Sequence, residues 1–169
     1  MKNIFIGMGL GLVTSLVSLA IYDTVTRDTD KMSEANTATV MATKRILPDY
    51  STIYDPNANP HLDIQKASIE AKKNNKKILM IVGDNACTWS GEFDRFIDIN
   101  ENLKTNLYSN YEVVKVYYNK KNKNEDIQSL LKQFPKGAGT PHFYVLDADK
   151  KLLKSQKTVV LEQGFSYSP

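Results

Sequence analysis

The sequence has few of the residues on which metal and disulfide sites depend. Its 169 residues include one cysteine and two histidines. An internal disulfide is therefore excluded, and His61 and His142 are too far apart in sequence for the ligand spacing typical of a zinc site. We predict neither a metal site nor a cofactor.

The sequence also lacks a strong charge of one sign. The formal net charge is +3, and lysine pairs such as Lys76-Lys77 and Lys120-Lys121 lie where helices end or loops begin. These pairs do not alternate with aromatic residues in the way typical of a nucleic-acid surface. We therefore expect no nucleic-acid partner.

Long apolar runs are missing except at the N-terminus. Residues 4–22, IFIGMGLGLVTSLVSLAIY, carry no charge and are long enough to span a bilayer core as a helix. We predict that residues 1–22 are a signal peptide or an N-terminal membrane anchor, and that the protein is exported to a periplasmic or other extracytoplasmic space. An uncleaved segment would tether it to the inner membrane. Residues 23–58 are polar and are predicted to be a linker or lead-in.

Residues 59–169 are predicted to form one α/β domain. The predicted elements are a helix after Asn59-Pro60, a strand at 78–82, a long or broken helix after Cys87, a strand at 111–119, a helix at 123–134 and strands at 142–147 and 151–157. Parallel strands need crossover connections, whereas antiparallel strands can be joined by a tight turn. The order therefore predicts a mixed sheet with helices on both faces and a hairpin as its last pair. The continuous apolar run Ile78–Val82 is typical of a central strand.

Two short elements carry the candidate chemistry. The tetrapeptide Cys87-Thr88-Trp89-Ser90 follows the apolar strand and begins a helix, and Gly139-Thr140-Pro141 precedes the third strand. A thiol at a helix N-terminus faces free N–H groups and the positive end of the helix dipole, both of which favour the thiolate. Cys87 is therefore predicted to be a nucleophile.

Together these elements resemble the thioredoxin superfamily, in particular its exported members with Trp in the third position of the motif. The resemblance covers about residues 60–167 and implies a thioredoxin-like three-layer sandwich with a mixed central sheet. It implies that Cys87 is the attacking cysteine, that Ser90 replaces the resolving cysteine and that Pro141 is a cis-proline. It also implies that Thr140 pairs through its backbone with a substrate, while Trp89 is expected to line the surface beside the site.

The sequence departs from the family pattern at several positions. Ile81 stands where thioredoxin has a buried strand acid, and Ala86 stands where it has a tryptophan before the cysteine. Both changes argue against efficient disulfide reduction and therefore against classical thioredoxin activity. Thioredoxin folds normally end with a helix, of which Ser168-Pro169 would be only the start. Two alternatives remain open: the protein lacks the final helix, or the sequence is a shortened version of a longer one.

Two functions from different classes remain open. Ser90 can donate a hydrogen bond to a thiolate but cannot resolve a mixed disulfide. The first hypothesis is therefore thiol–disulfide exchange or isomerisation, in which Cys87 forms mixed disulfides with client protein thiols or glutathione-like small thiols and an external thiol or redox partner resets it. The alternative is a non-catalytic binding or chaperone module that holds extended peptides in the groove beside Pro141. A Cys87–His142 pair is disfavoured, because strand alternation turns His142 away if Thr140 faces the site.

Overall fold

The computed structural model describes residues 46–122 and 124–168. The predicted signal or anchor segment at residues 1–22 and most of the lead-in at residues 23–58 lie outside the described residues. Within the described part of the chain, no helix is both long enough and apolar enough to cross a membrane. The residues from Leu47 onward form one compact unit.

The helices and strands follow the predicted order. The helices are α1 (Asp49–Thr52), α2 (Pro60–Asn74), α3 (Thr88–Ile99), α4 (Glu101–Asn110) and α5 (Glu125–Leu131), with a 3-10 turn at Thr158–Leu161. The strands are β1 (Lys77–Gly83), β2 (Tyr111–Tyr117), β3 (His142–Leu146), β4 (Leu152–Lys157), β5 (Glu162–Gln163) and β6 (Ser166–Tyr167). The broken helix after Cys87 is the pair α3 and α4, which meet at Asn100.

Capping residues explain where α2 begins and ends and where α3 ends. Asn59 accepts hydrogen bonds from the N–H groups of His61 and Leu62, and Pro60 occupies the first turn of α2. That helix ends at Asn75, whose φ of 52° is left-handed, a conformation that asparagine tolerates better than most residues. At the α3–α4 break, the Asn100 side chain donates to the Phe96 carbonyl. These polar residues set the helix limits that the sequence predicted.

The main sheet has the order β2-β1-β3-β4. Strand β1 is parallel to β2 and antiparallel to β3, and β3 and β4 form an antiparallel hairpin. The predicted mixed sheet with a central β1 is therefore confirmed. Because β1 and β3 are antiparallel, Val82 near the end of β1 lies opposite His142 at the start of β3. This register brings the loop after β1, which contains Cys87, next to the loop that contains Pro141.

Alternate residues of β1 face two different cores, one on each side of the sheet. The aliphatic core contains Ile64, Ala67, Ala71, Ile78, Met80, Val82, Val114, Val116, Ile127, Leu130, Tyr144 and Leu146. The aromatic core contains Tyr54, Leu79, Ile81, Phe93, Phe96, Val113, Phe143 and Tyr167. Residues of α2 and α5 cover the first face and residues of α3 cover the second, which confirms helices on both faces.

Two peripheral segments complete the aromatic face. Ser51 in α1 is buried and donates a hydrogen bond to the Val113 carbonyl, and Tyr54 is 1% exposed. Both residues come from the polar segment at residues 23–58 that was predicted to be a linker or lead-in. After β4, the described chain forms the 3-10 turn and the β5–β6 hairpin, which places Tyr167 against Phe93 and Phe96. Tyr167 thereby covers part of the face on which α3 packs.

Candidate active site

Cys87 lies at the N-cap of α3 and is half-buried. Its Sγ donates to the Thr140 carbonyl at 3.4 Å and lies 3.5 Å from the Thr140 hydroxyl. The Thr140–Pro141 peptide bond is cis, as the resemblance implied, and Pro141 is fully buried. The Thr158 hydroxyl donates to the Pro141 carbonyl at 2.7 Å and ties this loop to the turn after β4. The structure therefore brings together the two sequence elements that were predicted to form the site.

The loop between β1 and α3 is held by Asp84. The Cys87 N–H donates to the Asp84 carbonyl at 3.0 Å, and the Ala86 N–H donates to Asp84 Oδ1 at 3.0 Å. The other carboxylate oxygen of Asp84 accepts from Asn119 Nδ2 at 2.8 Å. These bonds connect the loop to the segment after β2, so the backbone that carries the thiol has defined partners.

The surroundings of Cys87 favour its thiolate form. Burial of the thiol raises its pKa, but hydrogen bonds from the side chains of Thr140 and Ser90 and from the backbone of Ser90 and Trp89 lower it. The net effect is a pKa of Cys87 below its ordinary value. The backbone donors are first-turn N–H groups of α3, which have no partner within the helix. The predicted effect of a helix N-terminus therefore acts on Cys87 through specific donors.

Ser90, at the position of a resolving cysteine, is 0% exposed. Its Oγ accepts a long hydrogen bond from the Asp84 N–H, with 3.5 Å between the nitrogen and the oxygen. A Cβ on Gly83 would stand 2.7 Å from Ser90 Oγ and 2.9 Å from two ring atoms of Tyr54, so only glycine allows this close approach. A client molecule cannot reach Ser90 without rearrangement, and its interactions are with neighbouring protein groups.

Trp89 is half-buried beside Cys87 and contacts the C-terminal hairpin. Its ring meets the Tyr167 ring edge-on with 5.6 Å between centroids, and the Tyr167 hydroxyl donates to the Trp89 carbonyl at 3.1 Å. Burial raises the pKa of Tyr167 to about 12, so this hydroxyl remains a donor at neutral pH. The hairpin thus fixes the first turn of α3 and the indole beside the thiol.

His142 is turned toward other partners. Its Nδ1 accepts from the Ala138 N–H at 3.3 Å, and its Nε2 shares a hydrogen bond of 2.8 Å with the Ser155 hydroxyl. Burial lowers the pKa of this imidazole and favours its neutral form. Both ring nitrogens therefore have partners other than Cys87. His142 lies opposite Val82, on the aliphatic face of the sheet, in agreement with the expected strand alternation.

Sequence reasoning missed a partly buried ion pair between Lys115 of β2 and Asp94 of α3. Lys115 lies opposite Ile81 in the β1–β2 register, and its Nζ donates to Asp94 Oδ2 at 2.7 Å and to the Thr52 carbonyl at 3.0 Å. The ammonium also lies 5.1 Å from the Tyr54 ring centroid. Burial raises the pKa of Asp94, and its hydrogen bond with Lys115 opposes that rise. The one available sequence signal is a lysine inside the apolar strand YEVVKVY, since a buried charge requires a partner.

A cavity of about 730 Å³ adjoins Thr140. Its walls include Val82, Gly139, His142 and residues of α5, and its charged lining residues are Lys120, Lys132 and Lys136. None of these lysines forms an ion pair with another residue of the described ranges, and the cavity lining contains no acidic residue. The cavity volume falls within the range of small-molecule sites, and its charge favours anionic groups.

The fold is thioredoxin-like, and the site is a single thiol at a helix N-terminus facing a cis-proline loop. A solved disulphide isomerase from Xylella fastidiosa Temecula1 superimposes with a TM-score of 0.53 and 24% sequence identity, over 65% of this chain and 79% of that chain. A solved DsbH oxidoreductase covers 73% of this chain and 83% of its own, with 20% identity and a TM-score of 0.48. No protein-family model and no curated protein matches the chain. At these identities the likeness to the isomerase establishes the fold.

Proposed function

We propose that the protein carries out thiol–disulfide exchange through Cys87. The observation that carries this proposal is the contact of a half-buried thiol, at the N-cap of α3, with the Thr140 carbonyl and hydroxyl next to cis-Pro141. Hydrogen bonds lower the pKa of Cys87, which increases the thiolate fraction at neutral pH. The disulphide isomerase that shares the fold supports the same class of chemistry.

The chemistry proceeds through a mixed disulfide. The Cys87 thiolate attacks one sulfur of a client disulfide, a new S–S bond forms to Cys87, and the other client sulfur leaves as a thiolate. Because the chain has one cysteine, no internal thiol can release the client. A second client thiol or an external small thiol must attack the mixed disulfide, which regenerates the Cys87 thiolate. The first route isomerises a client disulfide without net oxidation or reduction.

Thr140 would position the client during this reaction. In the described structure its carbonyl accepts a hydrogen bond from the Cys87 thiol. When the thiol ionises, this bond is lost and the carbonyl is free to accept another. An extended client can then donate a backbone N–H to Thr140, as a strand pairs with a sheet edge. The adjoining basic cavity favours clients or small thiols that carry carboxylates.

The pH dependence of Cys87 alkylation by iodoacetamide tests the proposal. We expect a midpoint below the ~8.5 of an unperturbed cysteine, followed by formation of a mixed disulfide with a peptide disulfide at neutral pH. The mixed disulfide should persist until an external thiol is added. Cys87→Ala should show neither labelling nor trapping.

A Cys87 that labels slowly with an unshifted midpoint, in a folded protein, would contradict exchange chemistry. If that protein still bound unfolded peptides, and Cys87→Ala bound them equally well, the binding-module alternative would replace our proposal. Export, with residues 1–22 as signal peptide or anchor, is a further part of the proposal, because mixed-disulfide chemistry needs a compartment that contains client disulfides.

A further inference from the structure

The buried hydroxyl of Tyr54 has no assigned role in the proposed exchange reaction, on which the following inference rests. Tyr54 is 1% exposed, and its hydroxyl makes no well-formed hydrogen bond to any residue in the described ranges. Burying a hydroxyl without a partner is unfavourable, and such groups are rare in folded proteins. The position of Tyr54 therefore needs a physical reason.

The structure places this hydroxyl beside Ser90. Ser90 Oγ and the Tyr54 ring atoms Cε1 and Cζ all lie within 3 Å of the point where a Gly83 Cβ would stand. Cζ is the ring atom that carries the hydroxyl. Burial raises the pKa of Tyr54 most, Asp94 raises it further, and the Ser90 side chain lowers it, so the Ser90 hydroxyl lies within interaction distance of the Tyr54 hydroxyl. The absence of a side chain at Gly83 lets the two hydroxyl groups approach each other.

Tyr54 is also tied directly to the loop that carries Cys87. Its N–H donates to Asn85 Oδ1 at 3.2 Å, and its carbonyl accepts from Asn85 Nδ2 at 2.7 Å. Asn85 is two residues before Cys87. The two bonds hold the backbone of Tyr54 against the loop between β1 and α3, which favours a defined position of its ring beside Gly83 and Ser90.

The charged and titratable groups around Tyr54 leave its hydroxyl protonated. On the α3 and β2 side, Asp94 is paired with Lys115, whose ammonium lies over the Tyr54 ring. From the C-terminal hairpin, Tyr167 also raises the pKa of Tyr54, as does the Cys87 thiolate. On the loop side, the Asp84 carboxylate is occupied by Ala86 and Asn119. Tyr54 can therefore act as a hydrogen-bond donor, with no charge of its own.

We propose that Tyr54 is a positioning residue for Cys87: its hydroxyl donates to Ser90 Oγ, and this bond directs the Ser90 proton to the Cys87 thiolate. A serine hydroxyl has one proton and two acceptor lone pairs. When Tyr54 fills an acceptor position of Ser90, the serine proton is free for the thiolate, and each bond in such a chain strengthens the next. Two hydroxyl groups would then act in series, from Tyr54 to Ser90 and from Ser90 to the Cys87 thiolate, and the buried serine of the motif would stabilise the thiolate. We call this pair of hydrogen bonds the relay.

Tyr54→Phe, which removes only the hydroxyl, tests this relay in the full chain. We expect the midpoint of Cys87 alkylation to move to higher pH, with a rate roughly two- to tenfold lower at pH values below the midpoint. Tyr50→Phe is the matched control, because Tyr50 lies in α1 and packs on the aliphatic core; its midpoint should equal that of the wild type. Circular dichroism verifies that each variant is folded.

A double-variant cycle separates the relay from a general packing effect. Ser90→Ala alone should raise the midpoint at least as much as Tyr54→Phe, and Tyr54→Phe should add no further shift in the Ser90→Ala background. An unchanged midpoint in Tyr54→Phe, or an equal shift with and without Ser90, would overturn the relay. A wild-type midpoint that is not lowered would instead refute the proposed exchange function, so the two failures are distinguishable.

Discussion

The aliphatic core and the aromatic core lie on opposite faces of one sheet but differ in their polar content. On the aliphatic face, β1 contributes Ile78, Met80 and Val82, and the buried imidazole of His142 has partners for both nitrogens. The aromatic face contains the Lys115–Asp94 pair, and on it Ser90 Oγ and the Tyr54 ring both lie close to Gly83. Stability is thus supported on both faces, whereas Ser90, one of the groups that lower the pKa of the Cys87 thiol, lies with Tyr54 beside Gly83 on the aromatic face.

The largest expected effect on stability is that of Met80→Ala. Met80 is fully buried in the aliphatic core, and such a truncation costs about 2–5 kcal/mol. Urea unfolding measures this loss, and the pH profile of Cys87 alkylation should remain that of the wild type. Ile81→Ala, at the next position of the same strand, faces the aromatic core. Unlike Met80→Ala, it should raise the pH midpoint of Cys87 alkylation in addition to lowering stability. Equal midpoint shifts in both variants would show that the two faces are not separable.

Lys115→Met should have the next largest effect. Removing one partner of a buried pair costs about 3–5 kcal/mol, but the Asp94 side chain keeps 37% of its surface exposed. Solvent screening should therefore reduce the loss to about 2 kcal/mol. Lys120→Met, which changes a lysine without a described ion pair, should lie within about 0.5 kcal/mol of the wild type.

The stability lost in Lys115→Met should depend on pH in a defined direction. Burial already raises the pKa of Asp94, and loss of the Lys115 hydrogen bond removes an effect that lowers it. Acidification should protonate Asp94 in Lys115→Met and remove its unpaired, partly buried charge. The stability difference from the wild type should therefore shrink as the pH falls from neutral toward 4. A difference that grows on acidification would contradict this assignment.

Gly83→Ala tests the close approach of Ser90 and Tyr54. The new Cβ would stand 2.7 Å from Ser90 Oγ and 2.9 Å from the Tyr54 ring. We expect a loss of about 1–3 kcal/mol from overpacking, together with a higher Cys87 alkylation midpoint. Gly91→Ala, in the exposed part of α3, has no atom within 4 Å of its new Cβ and should stabilise the protein by about 0.5–1 kcal/mol. A thermal-unfolding series of the two variants measures this contrast.

The smallest effect is expected from charge reversal at the basic cavity on the aliphatic side. Lys136→Glu should slow the reaction of Cys87 with glutathione disulfide severalfold and leave its reaction with the neutral hydroxyethyl disulfide unchanged. The difference should disappear at high salt because exposed charges are screened. Lys154→Glu on β4, outside the cavity, changes the net charge equally and should not discriminate between the two disulfides.

Much of the fold follows from local patterns. The apolar run of β1, the Asn59-Pro60 helix start and the turn between β3 and β4 each act within a few residues, and the structure confirms all of them. The approach of Cys87 to Thr140 could be expected from the family resemblance, although 53 residues separate them. Spacing alone would not have brought these two residues together.

The residues that pack around the site could not be predicted from local patterns or from the family resemblance. Tyr54 lies in a segment whose composition resembles a linker, and its bonds to Asn85 span 31 residues. Asp94 is one of several acidic residues on an amphipathic helix, and nothing in its neighbours distinguishes it from a solvent-exposed carboxylate. Asp94 is the partner of Lys115 because α3 packs on the sheet at a position that brings the two side chains together.

The sequence by itself therefore determined the order of helices and strands, the single thiol and its place at a helix start, because periodicity, capping and cysteine count are local or countable properties. The tertiary structure decided which groups surround that thiol. The burial of Ser90 beside Gly83, the approach of the Tyr54 ring to the same glycine and the pairing of Lys115 with Asp94 arise only when separate segments pack against the aromatic face of the sheet. Hydrogen bonding and desolvation depend on those distances, so the reactivity of Cys87 depends on contacts that no single stretch of sequence contains.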